Sequence, residues 1–156
     1  MRLLLLAIGQ KMPAWVDTGY REYARRFPPH LKLELVERPA SPWAARGDIA
    51  RGQREEAEAL RAAIPRDALV VALDERGSAW STRQLADRLA QWQHDGRDIA
   101  LLVGGPDGLD AQLRTDAGQR WSLSPLTLPH PLVRIVVAEQ LYRAHTLLSG
   151  HPYHRD

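Results

Sequence analysis

The sequence predicts an α/β fold, with one domain built on a mainly parallel sheet and helices on both faces of that sheet. Strand-like and helix-like segments alternate from one end of the chain to the other, as they do when helices connect parallel strands. Three of the strand-like segments are continuous apolar runs, which is typical of strands covered on both faces. A length of 156 residues, 44% of them hydrophobic, suits a single domain with one core.

The first half of the chain supplies three strands and two helices. The apolar run at residues 2–8 resembles a short signal peptide, but no small-residue cleavage pattern follows it, so we expect a buried strand. Prolines at positions 28, 29 and 65 end the two helices because proline cannot continue a helix. The predicted elements are a strand at 2–8, a helix at 14–26, a strand at 31–36, a loop at 38–46, a helix at 48–63 and a strand at 68–73.

The second half repeats the alternation. Ser81 to Gln84 has the sequence of a capping box, and Leu85, Leu89 and Trp92 follow at helical spacing. We then expect a buried strand at 99–103, a short helix at 110–117, a strand at 120–123 and a final helix at 132–148. The final helix should bury one apolar stripe, formed by Val133, Val136, Val137, Leu141 and Ala144.

The composition narrows the classes of function. The absence of cysteine excludes disulfides, thiolate zinc sites and cysteine nucleophiles, and it suits a reducing compartment. No apolar stretch approaches the roughly 20 residues of a membrane span, so we expect a cytoplasmic protein. The net charge is +2, and 19 of the 21 basic residues are arginine. Arginine suits phosphates and stacked bases, although biased codon usage would produce the same excess.

Three segments follow predicted strands and should converge on one pocket, because ligands of open α/β sheets bind at the carboxyl ends of the strands. These segments are 74–77, 104–108 and 122–131. The glycine-rich segment 104–108 would let its backbone approach a ligand closely, or it is a tight strand-to-helix turn. It lacks the spacing of a dinucleotide motif and a Walker lysine, which argues against a phosphate-binding loop.

The segment 122–131 is apolar and contains three prolines, so we expect it to be buried with backbone groups in need of partners. A bound adenosine would supply such partners while the leucines pack on its ring. The alternative is a proline-stiffened connection satisfied by other loops. Asp74 and Glu75 follow a predicted strand and would form a carboxylate pair, but their pattern favours a solvated turn.

The tail at 151–156 combines aromatic, imidazole and guanidinium groups, which disordered tails usually lack. It would stack on and hydrogen-bond a nucleobase, or it is simply docked on the surface. His151 and His154 have no convincing third partner, so we predict no metal site.

Six motifs carry a resemblance that spans the whole chain. They are KMPAWV at 11–16, YARRFP at 23–28, GGPDG at 104–108, the run at 121–134, EQLYRA at 139–144 and PYHR at 152–155. Together they resemble the bacterial large-subunit ribosomal RNA pseudouridine N3-methyltransferases, within the SPOUT class. The resemblance implies S-adenosylmethionine as cofactor, a homodimer with the active site near its interface, and a C-terminal trefoil knot. The general rule that chains do not knot would have argued against the last feature.

The resemblance also implies site residues. For the cofactor it indicates Leu73, Gly104, Leu123, Ser124, Pro125, Leu126, Thr127 and Leu128, which lie in or beside the three segments above. For the reaction it indicates His130, Arg143, Tyr153, His154 and Arg155. The loop at 40–47 departs from the pattern, since relatives often carry several lysines there and this chain offers only Arg46.

The implied reaction transfers a methyl group to N3 of a pseudouridine. Arg143 or Arg155 would stabilise negative charge on the base, and Tyr153 would stack on it or hydrogen-bond to it. His130, His154 or solvent would remove the proton. Three rival hypotheses stay open at this point. They are a non-enzymatic ribosome-binding factor, a nucleotide-binding enzyme acting on a small metabolite, and a SPOUT enzyme acting on transfer RNA.

Overall fold

The computed structural model describes residues 1–155, and Asp156, the end of the predicted tail, lies outside them. The predicted α/β fold is confirmed. Five strands form one parallel sheet in the order β2-β1-β4-β3-β5. The strands are β1 (Arg2–Ile8), β2 (Lys32–Arg38), β3 (Leu69–Ala79), β4 (Ile99–Val103) and β5 (Gln119–Ser122).

Five α-helices connect and cover the strands. They are α1 (Ala14–Ala24), α2 (Ile49–Ala63), α3 (Thr82–Asp95), α4 (Ala111–Asp116) and α5 (His130–Ser149), and a 3-10 turn spans Ala44–Arg46. The predicted capping box is present at α3, where Gln84 N donates to Ser81 Oγ (3.1 Å) and Ser81 N donates to Gln84 Oε1 (2.8 Å). Such a cap stabilises a helix by about 1 kcal/mol.

Alternation along the central strands produces two cores, one on each face of the sheet. Leu3 and Leu5 of β1 pack with α1, α3 and α5, whereas Leu4 and Leu6 pack with α2 and α4. All four side chains are at least 97% buried. Burial of each such side chain contributes about 1.5–3 kcal/mol, so the sheet is stabilised from both faces. The prediction of helices on both faces is therefore confirmed.

The third strand differs from its prediction. It continues to Ala79 instead of ending at Leu73, because its pairing with β5 resumes at Ser78 after an irregularity. Gly77 permits this pairing. A Cβ at that position would lie 2.7 Å from the carbonyl carbon of Arg120, too close for any side chain. The segment 74–77 is thus an irregular part of a strand, and its prediction as a loop is wrong.

The final helix begins at His130, two residues earlier than predicted, with Pro131 in its first turn, where no N–H is required. It packs between α1 and α3, so its buried residues cover more of the helix surface than the single predicted stripe. Of the predicted stripe, Val137, Leu141 and Ala144 are buried, whereas Val133 and Val136 are half-buried. Within residues 1–155, no helix is both long enough and apolar enough to cross a membrane.

Candidate active site

A cavity of about 280 Å³ lies at the carboxyl ends of β4 and β5, beside the irregular part of β3. The three predicted segments all contribute to its wall, so their convergence is confirmed. Its lining includes Leu73 to Arg76 in the middle of β3, the whole glycine-rich segment and most of the segment after β5. The volume is close to the lower end of the range for small-molecule sites, roughly 300–1,000 Å³.

The glycine-rich segment is a tight turn as well as a wall of the cavity. Gly108 N donates to Gly105 O (2.9 Å), and Gly108 has φ +79°, a conformation that favours glycine. A Cβ on Gly104 would lie 2.6 Å from the carbonyl carbon of Gly108, so only glycine fits there. Gln53 of α2 donates its Nε2 to Asp107 O (2.7 Å) and fixes the turn from outside.

The segment after β5 forms the opposite wall. Leu123, Ser124, Leu126, Thr127 and Leu128 line the cavity, as Leu73 and Gly104 do. Pro125, the remaining predicted cofactor residue, is not among the lining residues. The expectation that this segment is buried is wrong, since Leu126 is 71% exposed. An exposed leucine at the edge of a cavity is a surface that a bound ligand would cover.

Asp74 is a cavity residue that the sequence analysis placed in a solvated turn. That placement is wrong, because its side chain is only 7% exposed and faces the cavity. Its carboxylate accepts the backbone N–H of Arg76 (3.1 Å) and lies 3.9 Å from the Arg114 guanidinium, which also lines the cavity. Its position directly after the predicted apolar strand at 68–73, where ligands of parallel sheets bind, is the signal that would have identified it.

His130 lies at the cavity wall, in the first turn of α5. Burial, followed by the nearby Arg134 guanidinium, lowers the pKa of its imidazole below the ordinary value of 6.5. The ring is therefore neutral at neutral pH and has a nitrogen free of a proton. A neutral imidazole is able to act as a proton acceptor.

The other predicted reaction residues gather around Glu139, further along α5. Arg143 donates its Nε to Glu139 Oε1 (2.9 Å) and its Nη1 to His154 O (3.0 Å). Tyr153 donates its hydroxyl to the same carboxylate oxygen (2.9 Å), and burial together with this bond raises the pKa of Tyr153 to about 12. Arg155 follows as an exposed residue. We call Glu139, Arg143, Tyr153 and His154 the C-terminal cluster.

The cavity and the C-terminal cluster lie at different heights on α5. Arg143 follows His130 by 13 residues on this helix, which corresponds to about 20 Å along its axis. Within one chain, therefore, His130 joins the predicted cofactor residues, and the other predicted reaction residues do not. Among residues 1–155, no group of three or more His, Cys, Asp or Glu side chains is arranged to hold a metal ion.

Comparison with known proteins decides the family. The family described as "Predicted SPOUT methyltransferase" matches residues 1–154. The chain belongs to the SPOUT methyltransferase family. Curated SPOUT relatives named "Ribosomal RNA large subunit methyltransferase H" include one from Thioalkalivibrio sulfidiphilus, 54% identical over 156 residues and 100% of both chains. Another, from Azotobacter vinelandii, is 54% identical over 155 residues, 99% of this chain and 100% of the relative.

Solved structures agree with the SPOUT fold. A probable methylase family protein from Haemophilus influenzae has a TM-score of 0.56 at 16% identity, covering 99% of this chain and 70% of the other. A putative methylase family protein from Neisseria gonorrhoeae has a TM-score of 0.52 at 17% identity, covering 90% of this chain and 80% of the other. The SPOUT class inferred from the sequence motifs is confirmed.

Proposed function

We propose that this protein transfers a methyl group from S-adenosylmethionine to N3 of a pseudouridine in large-subunit ribosomal RNA. The observation that carries the proposal is the cavity at the ends of β4 and β5 and beside the middle of β3, lined by seven of the eight residues predicted to hold the cofactor. The full-length relatives, named for ribosomal RNA methylation, support the substrate class. An enzyme with that substrate would work in the cytoplasm.

The cavity has the chemistry that S-adenosylmethionine requires. Leu73, Leu123 and Leu128 offer apolar surface for an adenine ring, and the turn around Gly104 brings backbone groups to the wall. Three carboxylates, on Asp74, Glu75 and Asp107, outnumber the two lining arginines. S-adenosylmethionine carries a sulfonium and an ammonium against one carboxylate, so a mildly acidic cavity complements it.

The bound cofactor would supply an electrophilic methyl group, and the protein's residues would supply alignment, water exclusion and proton removal. His130 is the strongest candidate for the base, because it lines the cavity and is neutral at neutral pH. The anion of the acceptor imide would be stabilised by a guanidinium, the role of Arg143. Tyr153, whose hydroxyl stays protonated to about pH 12, would present its ring and a hydrogen bond to the base.

A second copy of the chain would bring the two groups of residues together. In a two-fold homodimer, the C-terminal cluster of one protomer would lie at the cavity of its partner. Large apolar side chains exposed in the single chain support such an interface, notably Trp15 (58% exposed) and Leu148 (43% exposed). We also propose that the segment from β5 to α5 is threaded as a trefoil knot, as in the class that it resembles.

The direct test is methyl transfer from labelled S-adenosylmethionine to large ribosomal subunits isolated from cells that lack the protein. We expect label in the ribosomal RNA, and mass spectrometry should locate it on N3 of a pseudouridine. A non-enzymatic ribosome-binding factor would leave the RNA unlabelled. For an enzyme acting on a small metabolite, the rate of methyl transfer would not change when RNA is added. Label appearing only in transfer RNA would indicate a SPOUT enzyme that acts on transfer RNA.

A further inference from the structure

A second concavity, of about 440 Å³, opens beside the edge strand β5. We call it the arginine groove. The irregular part of β3, the end of α4 and the start of β5 form its walls, together with one residue of α3. Its lining residues are Arg76, Gly77, Ser78, Trp80, Arg88, Thr115, Ala117, Gly118, Gln119 and Arg120. Three are arginines and none carries a carboxylate.

The three groove arginines form no ion pair with a carboxylate of the described residues. Elsewhere on the surface, arginines such as Arg2, Arg25 and Arg61 pair with Asp98, Glu22 and Asp116. In the part of the chain that the structure describes, no ion pair to a carboxylate involves Arg76, Arg88 or Arg120. Arginines scattered along the sequence thus converge on one concave surface, which is the signature of an anion-binding site.

The groove is held in shape by packing. The Arg88 guanidinium lies 4.1 Å from the centroid of the Trp80 ring, and Trp80 in turn stacks on Trp121 at 5.2 Å. The absence of a side chain on Gly77 lets the Arg120 backbone approach β3, which places Arg120 near Arg76.

The arginine groove adjoins the cavity of the candidate active site. Arg76 lines both, since it lies in the irregular part of β3 between them. The charges of the two concavities differ, because the cavity contains three carboxylates and the groove contains none. A polyanionic chain whose reactive base entered the cavity would therefore find favourable charge for its backbone in the groove.

We propose that the arginine groove binds the phosphodiester backbone of the RNA substrate next to the nucleotide that is methylated. Arg88 and Arg120 contact phosphates, and Trp80 fixes the Arg88 guanidinium in the orientation for such a contact. These contacts are independent of base sequence. They increase the affinity for RNA and fix its position on the protein, whereas the cavity selects the base. The inference rests on the proposed function, because it assumes that the substrate is RNA.

The test compares two double variants that lose the same charge. Arg88→Gln with Arg120→Gln removes the groove contacts, and Arg54→Gln with Arg66→Gln removes two arginines that lie outside the groove. Binding to large ribosomal subunits and to a single-stranded RNA oligonucleotide is measured by filter retention over a range of KCl concentrations. For the groove variant we expect about a tenfold or greater loss of affinity. The plot of log affinity against log salt should become less steep by about 1.4, the loss of two phosphate contacts.

Further measurements separate this proposal from a folding defect and from failure of the proposed function. S-adenosylmethionine affinity and kcat at saturating subunits should equal those of wild type, with only the KM for subunits raised. The Arg88→Lys with Arg120→Lys variant, which keeps the charge, should retain the wild-type salt dependence. Equal affinity and salt dependence in the two glutamine variants would overturn the proposal, as would weaker binding to subunits with unchanged binding to the oligonucleotide. Wild-type protein that binds RNA through the groove but transfers no methyl group would instead overturn the proposed function.

Discussion

The cavity and the C-terminal cluster are built in different ways, although both depend on α5. The cavity is formed within one chain by backbone turns and leucines, and two of its polar groups, Asp107 O and the Asp74 carboxylate, accept hydrogen bonds from the same chain. In the C-terminal cluster, Arg143 and Tyr153 share Glu139, about 20 Å further along the helix axis. The single chain therefore contains a cavity lined by His130 and by most of the predicted cofactor residues, whereas Arg143, Tyr153 and His154, the predicted reaction residues of the cluster, do not line it.

Because of this difference, we expect cofactor binding and methyl transfer to depend on different parts of the chain. Cofactor binding should depend on the glycine turn and should be insensitive to changes in the C-terminal cluster. Methyl transfer should depend on both regions and, in the proposed homodimer, on contributions from both protomers. Variants that affect one region alone test this separation directly.

The largest effect is expected from Arg143→Ala and Gly104→Val, assayed alone and together. Each variant alone should lose methyl transfer almost completely, because one lacks the charge-stabilising guanidinium and the other the cofactor cavity. A mixed dimer of the two retains one intact site, formed by the normal cavity of one protomer and the normal cluster of its partner. Equal mixing with subunit exchange should therefore restore about a quarter of wild-type activity.

The control for this mixture is each variant mixed with itself under the same conditions, which should stay inactive. An inactive mixture whose mixed dimers are demonstrated by mass spectrometry would contradict the shared site. Arg143→Ala alone should keep wild-type affinity for S-adenosylmethionine in calorimetry. Equal loss of cofactor affinity in that variant would place Arg143 at the cavity instead.

Gly104→Val should weaken S-adenosylmethionine binding by about a hundredfold or more. Its Cβ would lie 2.6 Å from the carbonyl carbon of Gly108 and 2.8 Å from the amide nitrogen of Leu109, so the turn has to move. Gly96→Ala is the matched control, since that position has φ +72° and open space around it at the end of α3. Gly96→Ala should lower stability while leaving cofactor affinity unchanged. Retained affinity in Gly104→Val would show that the turn does not hold the cofactor.

A smaller effect, on stability, distinguishes the two ends of α5. Arg134 is 1% exposed, ion-paired to Glu37, and donates its Nη2 to Gly9 O (2.8 Å), whereas the Arg143 side chain is 31% exposed. Arg134→Met should reduce the free energy of unfolding by about 1.5–3 kcal/mol, because the carbonyl of Gly9 stays buried without its charged donor, whereas the Glu37 carboxylate is 35% exposed and is hydrated. Arg143→Met should cost about 1 kcal/mol. Urea denaturation of both variants measures the difference, and equal losses would contradict it.

The sequence was sufficient for the sheet, the capping box at α3 and the convergence of three segments, because each depends on local pattern and on the order of elements. It was not sufficient for Asp74, since a run of Asp, Glu, Arg and Gly resembles a turn, and only pairing with β5 makes it part of a strand. The burial of Arg134 could not be predicted either, because an arginine is expected at the surface. Its guanidinium is buried through a hydrogen bond to the carbonyl of Gly9, which is 125 residues away in the sequence. The arginine groove likewise depends on strand pairing, because Arg76, Arg88 and Arg120 have no regular spacing.

The smallest effect concerns the pH dependence of stability at the cavity. The lowered pKa of His130 means that protonation is less favourable in the folded protein than in the unfolded chain. Its contribution to stability is complete above the unfolded pKa of about 6.5 and is lost as pH falls through the folded pKa. His130→Asn should therefore lose less stability than wild type between about pH 7.5 and about pH 5 in urea denaturation. Burial, together with His30 and His151, also lowers the pKa of His145. We therefore expect a similar change in the pH dependence of stability for His145→Asn. Of these two variants, only His130→Asn should also lose methyl transfer. Normal methyl transfer by His130→Asn would show that solvent or His154 removes the proton.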